Sequence, residues 1–343
     1  MKKTVRTFRT LLFAACFVAA VAVLLEIAVR LWGYSERHIY DSIYVPFPQS
    51  EDIPYVHKPN LVNARARGLA VINTDSLGLR SVKAGEESGA RQPNEFRIAV
   101  VGDSVTFGEG VAKTEDTYPQ VLQDVLNQTQ DSLKVKVFNF GASGYSVKVM
   151  AAMLEHRMLE LKPDLVLMAI IPSDFHLSRT PAITRWGYFT GMEKFGFLSG
   201  DSYLRVLIRD LHLVHPLREI IYPNVQASLK QTEALLLAGG LPESYSYVRK
   251  FALTADQSGT PYRIVLLPNK ASFGKIATQL AEDAVSFLDL TGLLKEFSPE
   301  QYYASRFDSH PSAAVHRRIG EKLAEHILEG RLLDARNVGR WLE

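Results

Sequence analysis

A serine and a histidine far apart in the sequence could act together as a nucleophile and its general base. Ser104 stands in the run Gly102-Asp103-Ser104, directly after the apolar stretch 96–101, and His310 lies close to the carboxyl terminus. A serine in the turn after a strand exposes its hydroxyl at the sheet edge, where an imidazole can take its proton. This pair would support acyl transfer through an acyl-serine intermediate. A glycine-rich turn in which Asp103 and Ser104 only cap a helix is the alternative interpretation.

A carboxylate near the histidine could orient it. Asp308 precedes His310 by two residues, and in extended backbone such side chains share a face. The carboxylate could then fix the imidazole tautomer that accepts the serine proton. Alternatively, Asp308 and Ser312 are turn and cap residues and His310 has no catalytic role. His316, one helical turn and a half further on, is interpreted as a surface residue and as a weaker alternative base.

Two further turns follow apolar stretches and could stabilise a developing negative charge. Residues 139–144 carry two glycines after the stretch 135–140, and a backbone N–H there could face an oxyanion. Glycines that merely permit a tight turn are the simpler explanation. The run Ile171-Pro172-Ser173-Asp174 places a hydroxyl and a carboxylate after the stretch 165–171. Seen alone, this run is typical of a simple turn.

The elements that must position these residues follow an α/β pattern. Apolar stretches alternate with segments of helical spacing, which predicts a mostly parallel sheet covered on both faces. Ligands on such sheets bind beyond the carboxyl ends of the strands, where all the residues above are expected. The predicted strands are 96–101, 135–140, 165–171, 262–267 and 285–288, and the predicted helices begin near 117 and span about 147–161 and 312–328.

The amino terminus predicts a membrane-spanning helix. The run 11–32 is apolar except for Glu26 and Arg30, and four cations precede it. Its length suffices to cross a bilayer, and the cations favour an amino terminus on the inner side. A cleaved signal peptide is the alternative, although apolar character continues to Trp32 without a clear cleavage site.

The composition fits an ordinary packed protein. It is 47% apolar and 22% charged, with a formal net charge of +2, which argues against a disordered or nucleic-acid-binding protein. Cys16 is the only cysteine, so the chain has no intrachain disulfide and no cysteine-based metal site. Residues 34–94 lack sustained periodicity and are interpreted as a stalk that wraps onto the domain.

The ordered set of motifs resembles the SGNH/GDSL hydrolases, specifically their membrane-anchored bacterial branch. The similarity runs from about Leu25 to Leu328 and includes 72–80, 102–111, 139–144, Ser173-Asp174 and 310–314. The resemblance implies a flavodoxin-like three-layer α/β/α fold with a five-stranded parallel sheet. It also implies Ser104 as nucleophile, His310 as base, and the Ser104 and Gly141 amides as oxyanion donors. The family uses no cofactor, and we expect no metal here.

Two departures from the family pattern concern the site. Ser173 stands where the family usually has an asparagine that donates to the oxyanion, and we expect its hydroxyl to take that role. The family's aspartate usually lies three residues before the histidine, where this chain has Phe307. Asp308 is the nearest substitute and completes the predicted triad. Loss of one oxyanion donor typically costs about a hundredfold in rate, so a slow or specialised enzyme would be consistent with these changes.

These observations predict five segments. They are a cytoplasmic tail (1–10), a transmembrane anchor (11–33), the wrapping segment (34–94), a hydrolase domain (95–330) with a helical insertion at about 175–260, and a carboxyl-terminal tail (331–343). We expect a single-pass protein of the inner (cytoplasmic) membrane with its amino terminus inside and its catalytic domain periplasmic or otherwise extracytoplasmic.

The predicted activity is hydrolysis of a carboxylic ester, with an O-acetyl group on an envelope or exported polysaccharide as one candidate substrate. The same triad could serve a carbohydrate O-acetyltransferase, because the acceptor is chosen by the pocket. A catalytically silent envelope binding or assembly protein is a third hypothesis, for which Ser173 and the altered aspartate spacing would mark decay.

Overall fold

The computed structural model describes residues 2–35, 39–129, 133–177, 180–189, 211–221, 234–236, 238 and 240–333. A five-stranded parallel sheet lies at its centre, in the order β5-β4-β3-β1-β2. Its strands are β1 (Glu95–Gly102), β2 (Lys134–Asn139), β3 (Leu165–Ile170), β4 (Tyr262–Leu266) and β5 (Phe287–Asp289). Because the chain passes from β2 at one edge across β1 to β3, the strand order reverses beside β1. A crevice forms at such a switch point, beyond the carboxyl ends of the strands.

The central strands are buried over their whole length. Every residue of β1 and of β3 is buried, as is typical of parallel strands covered by helices on both faces. The predicted flavodoxin-like α/β fold is therefore confirmed, and four strands agree with their predicted positions to within one residue. The fifth begins at Phe287 rather than at Val285, because the Val285 N–H still donates to the Leu280 carbonyl at the end of the preceding helical turn (2.8 Å).

Helices form the two outer layers of the domain. One apolar layer packs Ala99 and Val101 of β1 against the helices 147–153 and 245–257. The other packs Ile98 and Val100 against the helices 118–129 and 313–329. The α-helices are α1 (Lys2–Trp32), α2 (Ser104–Phe107), α3 (Tyr118–Thr129), α4 (Val147–Met153), α5 (Val214–Ile221), α6 (Tyr245–Gln257), α7 (Ile276–Glu282), α8 (Pro299–Tyr302) and α9 (Ala313–Glu329).

Helical turns of other types extend or link these helices. A π-helical turn and a 3-10 turn continue α4, so the predicted helix over 147–161 is confirmed as one continuous element. The π turn is Leu154–Met158, and the 3-10 turns are Arg67–Leu69, Thr114–Asp116, Leu159–Leu161, Pro172–Phe175 and Thr291–Glu296.

The segment 39–94 is built into the core through short antiparallel strands. Ile43, Ile53 and Tyr55 are fully buried against the α4 side of the sheet, although no long periodic pattern marks them. Arg80 donates to the carbonyls that follow α2, which braces the loop after the candidate nucleophile. The strand pairs are Tyr44–Val45 with Val56–His57, Ala64–Arg65 with Val71–Thr74, Val71–Thr74 with Arg80–Ser81, and, near the carboxyl terminus, Tyr303–Ser305 with Asp308–Pro311.

Helix α1 is the element expected to cross the membrane. None of its residues Arg6–Trp32 is buried, and this is the one helix in the described part of the chain that is long and apolar enough to span a bilayer. A signal sequence has the same length and composition. Helix α1 is therefore a membrane anchor or a signal sequence.

Candidate active site

Ser104 is the first residue of α2, at the carboxyl end of β1. Gly102 allows the sharp turn before it, because a Cβ there would lie 1.9 Å from Thr106 Oγ1 and 2.6 Å from the Ala169 carbonyl oxygen. Asp103 caps the helix, since its carboxylate accepts the Val105 N–H at 2.8 Å. The capping role thus belongs to Asp103, and the Ser104 hydroxyl is left to face the loop that carries His310.

The structure brings Ser104, His310 and Asp308 together. His310 Nε2 lies 3.0 Å from Ser104 Oγ, and His310 Nδ1 lies 2.5 Å from Asp308 Oδ1. The His310 backbone N–H also donates to Asp308 Oδ1 at 3.1 Å, within the short strand Asp308–Pro311. Extended backbone therefore lets an aspartate two residues before the histidine reach its ring. These contacts match the arrangement in which a carboxylate orients an imidazole toward a serine hydroxyl.

The charges around His310 favour its protonated form. Burial by itself lowers the pKa of His310, but the charge of Glu109 and the hydrogen bond and charge of Asp308 outweigh it and raise the pKa above its ordinary value. Burial pushes the pKa of Asp308 upward, yet its hydrogen bond and charge interaction with His310 leave it below the usual value. The pair is therefore arranged to hold an imidazolium next to a carboxylate.

Glu109 is a buried carboxylate at the centre of the site that the sequence analysis did not single out. Its Oε2 lies 3.8 Å from His310 Nε2 and accepts a hydrogen bond from Ser143 Oγ at 2.6 Å. Its Oε1 lies 3.4 Å from Nε of Arg67, a residue of the wrapping segment that is one third exposed. The available signal was an acidic residue between two glycines, Gly108 and Gly110, both of which have positive φ.

The predicted oxyanion donors differ in their surroundings. The Gly141 N–H donates to Asn139 Oδ1 at 2.9 Å, so the chain itself already uses this donor, which argues against its predicted role. The N–H groups of Ser104 and Gly144 have no acceptor among the described residues. Gly144 lies next to Ser143, the partner of Glu109, and has φ of 83°.

Ser173 lies in the 3-10 turn after β3, the strand beside β1, and its role as a donor stays a prediction.

The interpretation of His316 as a surface residue is wrong. Its side chain is fully buried in α9, Nδ1 accepts the Tyr118 N–H at 3.2 Å, and its ring stacks on that of Tyr118. Burial lowers the pKa of His316 to about 3, so the imidazole is neutral. It joins α9 to the start of α3 and makes no described contact with Ser104.

The wrapping segment reaches the far side of Asp308. Gly68 has φ of 71°, and a Cβ there would lie 2.4 Å from Asp308 Oδ2 and 2.6 Å from the Gly110 nitrogen. Asp308 Oδ2 is buried and has no hydrogen-bond partner within the described ranges. The backbone at Gly68 therefore covers the carboxylate oxygen that His310 does not use.

The five-stranded parallel sheet defines an α/β protein. The match to a family model adds the class of protein, the carboxylic ester hydrolases. The family model of the GDSL-like lipase/acylhydrolases matches residues 100–318, and the chain belongs to that family. No curated protein matches the chain.

Several solved structures are similar to this chain at low sequence identity. A lipolytic protein of the G-D-S-L family from Desulfitobacterium hafniense DCB-2 is 14% identical, with 67% of this chain and 98% of that chain covered and a TM-score of 0.40. The acetylxylan esterase Axe2 from Geobacillus stearothermophilus is 20% identical, with coverage of 68% and 93% and a TM-score of 0.38. A two-domain esterase active on acetylated mannans is 13% identical, with coverage of 68% and 49% and a TM-score of 0.40.

Proposed function

We propose that this protein is a serine esterase that cleaves a carboxylic ester through an acyl-Ser104 intermediate. The observation that carries the proposal is the 3.0 Å contact between His310 Nε2 and Ser104 Oγ, with Asp308 on the other ring nitrogen. A silent binding protein would have no need to keep a nucleophile, a base and an orienting carboxylate in hydrogen-bond reach of one another. Three residues from two distant parts of the chain meet in this way at the strand switch.

The proposed reaction proceeds in two acyl transfers. His310 Nε2 takes the Ser104 proton while the serine oxygen bonds to the ester carbonyl carbon, and the imidazolium then gives that proton to the departing alcohol. Water, deprotonated by the same nitrogen, attacks the acyl-serine and releases the acid. Asp308 stabilises the imidazolium in both halves. The Ser104 N–H is the first oxyanion donor, and we assign the second to the Gly144 N–H in preference to that of Gly141.

We further propose a short acyl group, such as acetyl, on a carbohydrate of the envelope or an exported polysaccharide. Ser104 is buried, and Glu109 lies 3.8 Å from the imidazole nitrogen that must reach the leaving group. Glu109 in turn pairs with the Arg67 guanidinium. A hydroxyl-rich leaving group can hydrogen-bond to the partly exposed Arg67 guanidinium, whereas a long alkyl chain offers it no acceptor.

The proposed location is the inner membrane, with α1 retained as an anchor and the catalytic domain on the outer, periplasmic side. The end of α1 is joined to the folded domain, as expected for a part of the mature protein. Trp32 stacks on Tyr34 and meets the ring of Phe307 edge to face, and Arg306 donates to the Trp32 carbonyl at 3.0 Å. Residues 34–94 then form the wrapping segment, and 95–330 form the hydrolase domain with its insertion.

The experiment is hydrolysis of para-nitrophenyl acetate by the full chain in detergent. Ser104→Ala and His310→Ala should each lower kcat by about a thousandfold or more while the melting temperature stays close to that of the wild type. Ser246→Ala, an exposed serine of α6, is the matched control and should keep full activity. Activity that survives both site substitutions would remove the proposed mechanism. A carbohydrate acceptor added to the assay distinguishes acyl transfer from hydrolysis. Transfer gives an acylated carbohydrate, whereas hydrolysis gives the free acid.

A further inference from the structure

The segment 211–217 is attached to the outer part of α1. The Glu26 carboxylate accepts the backbone N–H groups of His212 at 2.9 Å and Leu213 at 2.8 Å. Beyond the helix end, Ser35 Oγ donates to the His212 carbonyl at 2.6 Å. The segment is therefore held to α1 at two points, one inside the apolar run and one just after it.

The position of Glu26 along α1 fixes the depth of this contact. Glu26 precedes Trp32 by six residues, which corresponds to about 9 Å along the helix axis. Tryptophan is enriched at the level of the lipid headgroups. If Trp32 marks that level, Glu26 lies below it, at the border of the acyl chains.

The bonds of Glu26 make a carboxylate acceptable at this depth. Its oxygens accept the two N–H groups that precede α5 and the Nε–H of Arg30 at 2.8 Å. Charged side chains inside a membrane are expensive unless they are paired in this way. The same bonds satisfy the two backbone N–H groups that come directly before α5. Glu26 therefore fixes the start of α5 to the membrane-spanning helix.

Segment 211–217 exposes apolar side chains beside the span. Leu211 is 42% exposed and Leu217 is 45% exposed, whereas His215 between them is buried. In water these leucines would form an apolar surface next to an apolar helix. At the depth of Glu26, these side chains would face lipid instead of water.

We propose that segment 211–217 lies in the membrane interface alongside α1 and that it holds the candidate active site at the lipid surface. This inference rests on the retained anchor proposed above. The contact of Trp32 with Phe307 supports it independently, because Phe307 immediately precedes Asp308. The loop of the general base thus touches the end of the span. Esters presented at the membrane surface are then the substrates that reach Ser104.

The experiment measures where Leu217 lies relative to lipid. The full chain carries Cys16→Ser and Leu217→Cys, and the new thiol is labelled with an environment-sensitive fluorophore. The labelled protein is reconstituted in phosphatidylcholine vesicles that contain a minority of phosphatidylglycerol. Lipids that carry a nitroxide near the headgroup should remove most of the emission, while a water-soluble quencher should have little effect. Leu253→Cys on α6, also an exposed leucine, is the control and should show the reverse.

A second variant tests the link to α1. Glu26→Ala removes the acceptor of the two N–H groups, so the Leu217 label should lose lipid quenching and gain aqueous quenching. Flotation of the vesicles shows in parallel whether α1 still anchors the chain. In the protein that keeps Glu26, a Leu217 label that is open to the aqueous quencher while the protein floats overturns the inference and leaves the anchor intact. A label in Glu26→Ala that keeps its lipid quenching shows that Glu26 does not hold the segment, and it overturns the link to α1. A label reached by neither quencher means that protein covers the segment, which also overturns it. Protein that does not float contradicts the anchor itself.

Discussion

Glu109 Oε2 lies 3.8 Å from His310 Nε2, the nitrogen that faces Ser104, while Asp308 holds the other ring nitrogen at 2.5 Å. Two carboxylates therefore bracket one imidazole, and together they raise its pKa against the effect of burial. A protonated imidazole cannot take the serine proton. The neutral, active form of His310 accordingly becomes dominant only at a pH above its ordinary value of about 6.5.

Glu109→Gln should shift the acidic limb of the kcat/KM profile to lower pH. The amide keeps an oxygen for Ser143 Oγ but removes the charge that is the largest contribution raising the pKa of His310. The measurement is kcat/KM for para-nitrophenyl acetate as a function of pH. Glu115→Gln, the same change at an exposed residue of the next turn, should leave the limb in place. An unmoved limb in Glu109→Gln would show that this carboxylate does not act on His310.

Asp308→Asn should lower kcat by about a thousandfold or more, because an amide that donates to Nδ1 would favour the wrong imidazole tautomer. The melting temperature of the variant separates this effect from unfolding. If a folded Asp308→Asn protein retained most of its kcat, another carboxylate would have to orient His310, and Glu109 would be the first to examine.

Gly68→Ala should lower both stability and kcat. The positive φ disfavours alanine, and the new Cβ would meet Asp308 Oδ2, so we expect a loss of about 1–3 kcal/mol in the free energy of unfolding. Displacement of the carboxylate should also reduce kcat at temperatures at which the variant is still folded. Gly292→Ala is the matched control, since a Cβ there has no atom within 4 Å. Equal kcat values for the two variants would mean that Gly68 does not position Asp308.

His316→Asn should make the protein less sensitive to acid. The pKa of His316 is about 3 in the folded chain and returns to about 6.5 on unfolding, so the unfolded state binds the extra proton between these values. Stability therefore falls as the pH drops through this range, by up to about 1.4 kcal/mol per pH unit for this group. Asparagine can still accept the Tyr118 N–H but does not titrate.

Urea unfolding at about pH 7 to about pH 5 measures this difference, because that range enters the interval between the folded and unfolded pKa values of His316. The slope of the unfolding free energy against pH should be smaller in His316→Asn than in the wild type. Parallel slopes would indicate that His316 is already protonated in the folded state. His57, whose burial also lowers its pKa to about 3, keeps its own contribution in both proteins.

The fold was predictable because its strands are continuous apolar runs bounded by turns. The site residues were predictable in part for the same reason, since parallel strands place the residues that follow them at one edge of the sheet. The aspartate two residues before the histidine could be placed because that stretch is extended, and Asp308–Pro311 is indeed a strand.

Other features depend on tertiary contacts that leave no local pattern. His316 lies on a helix face that packs against the start of α3, and a single histidine among charged residues resembles a surface position. Glu109 can be assigned to the site only through its contacts with Ser143 and His310, which are distant in the sequence. The use of the Gly141 N–H by Asn139 is likewise a matter of side-chain geometry.

The close approach of Gly68 to Asp308 bears on where this enzyme begins. The family match starts at residue 100, inside β1, so a recombinant fragment that begins with β1 at Glu95 would seem complete by homology. Such a fragment would lack the backbone that shields Asp308 Oδ2 and the guanidinium that balances Glu109, and water would enter beside the imidazole. Low turnover by the excised fragment would then reflect the missing wrapping segment. A protein used to measure the activity should therefore include residues 39–94.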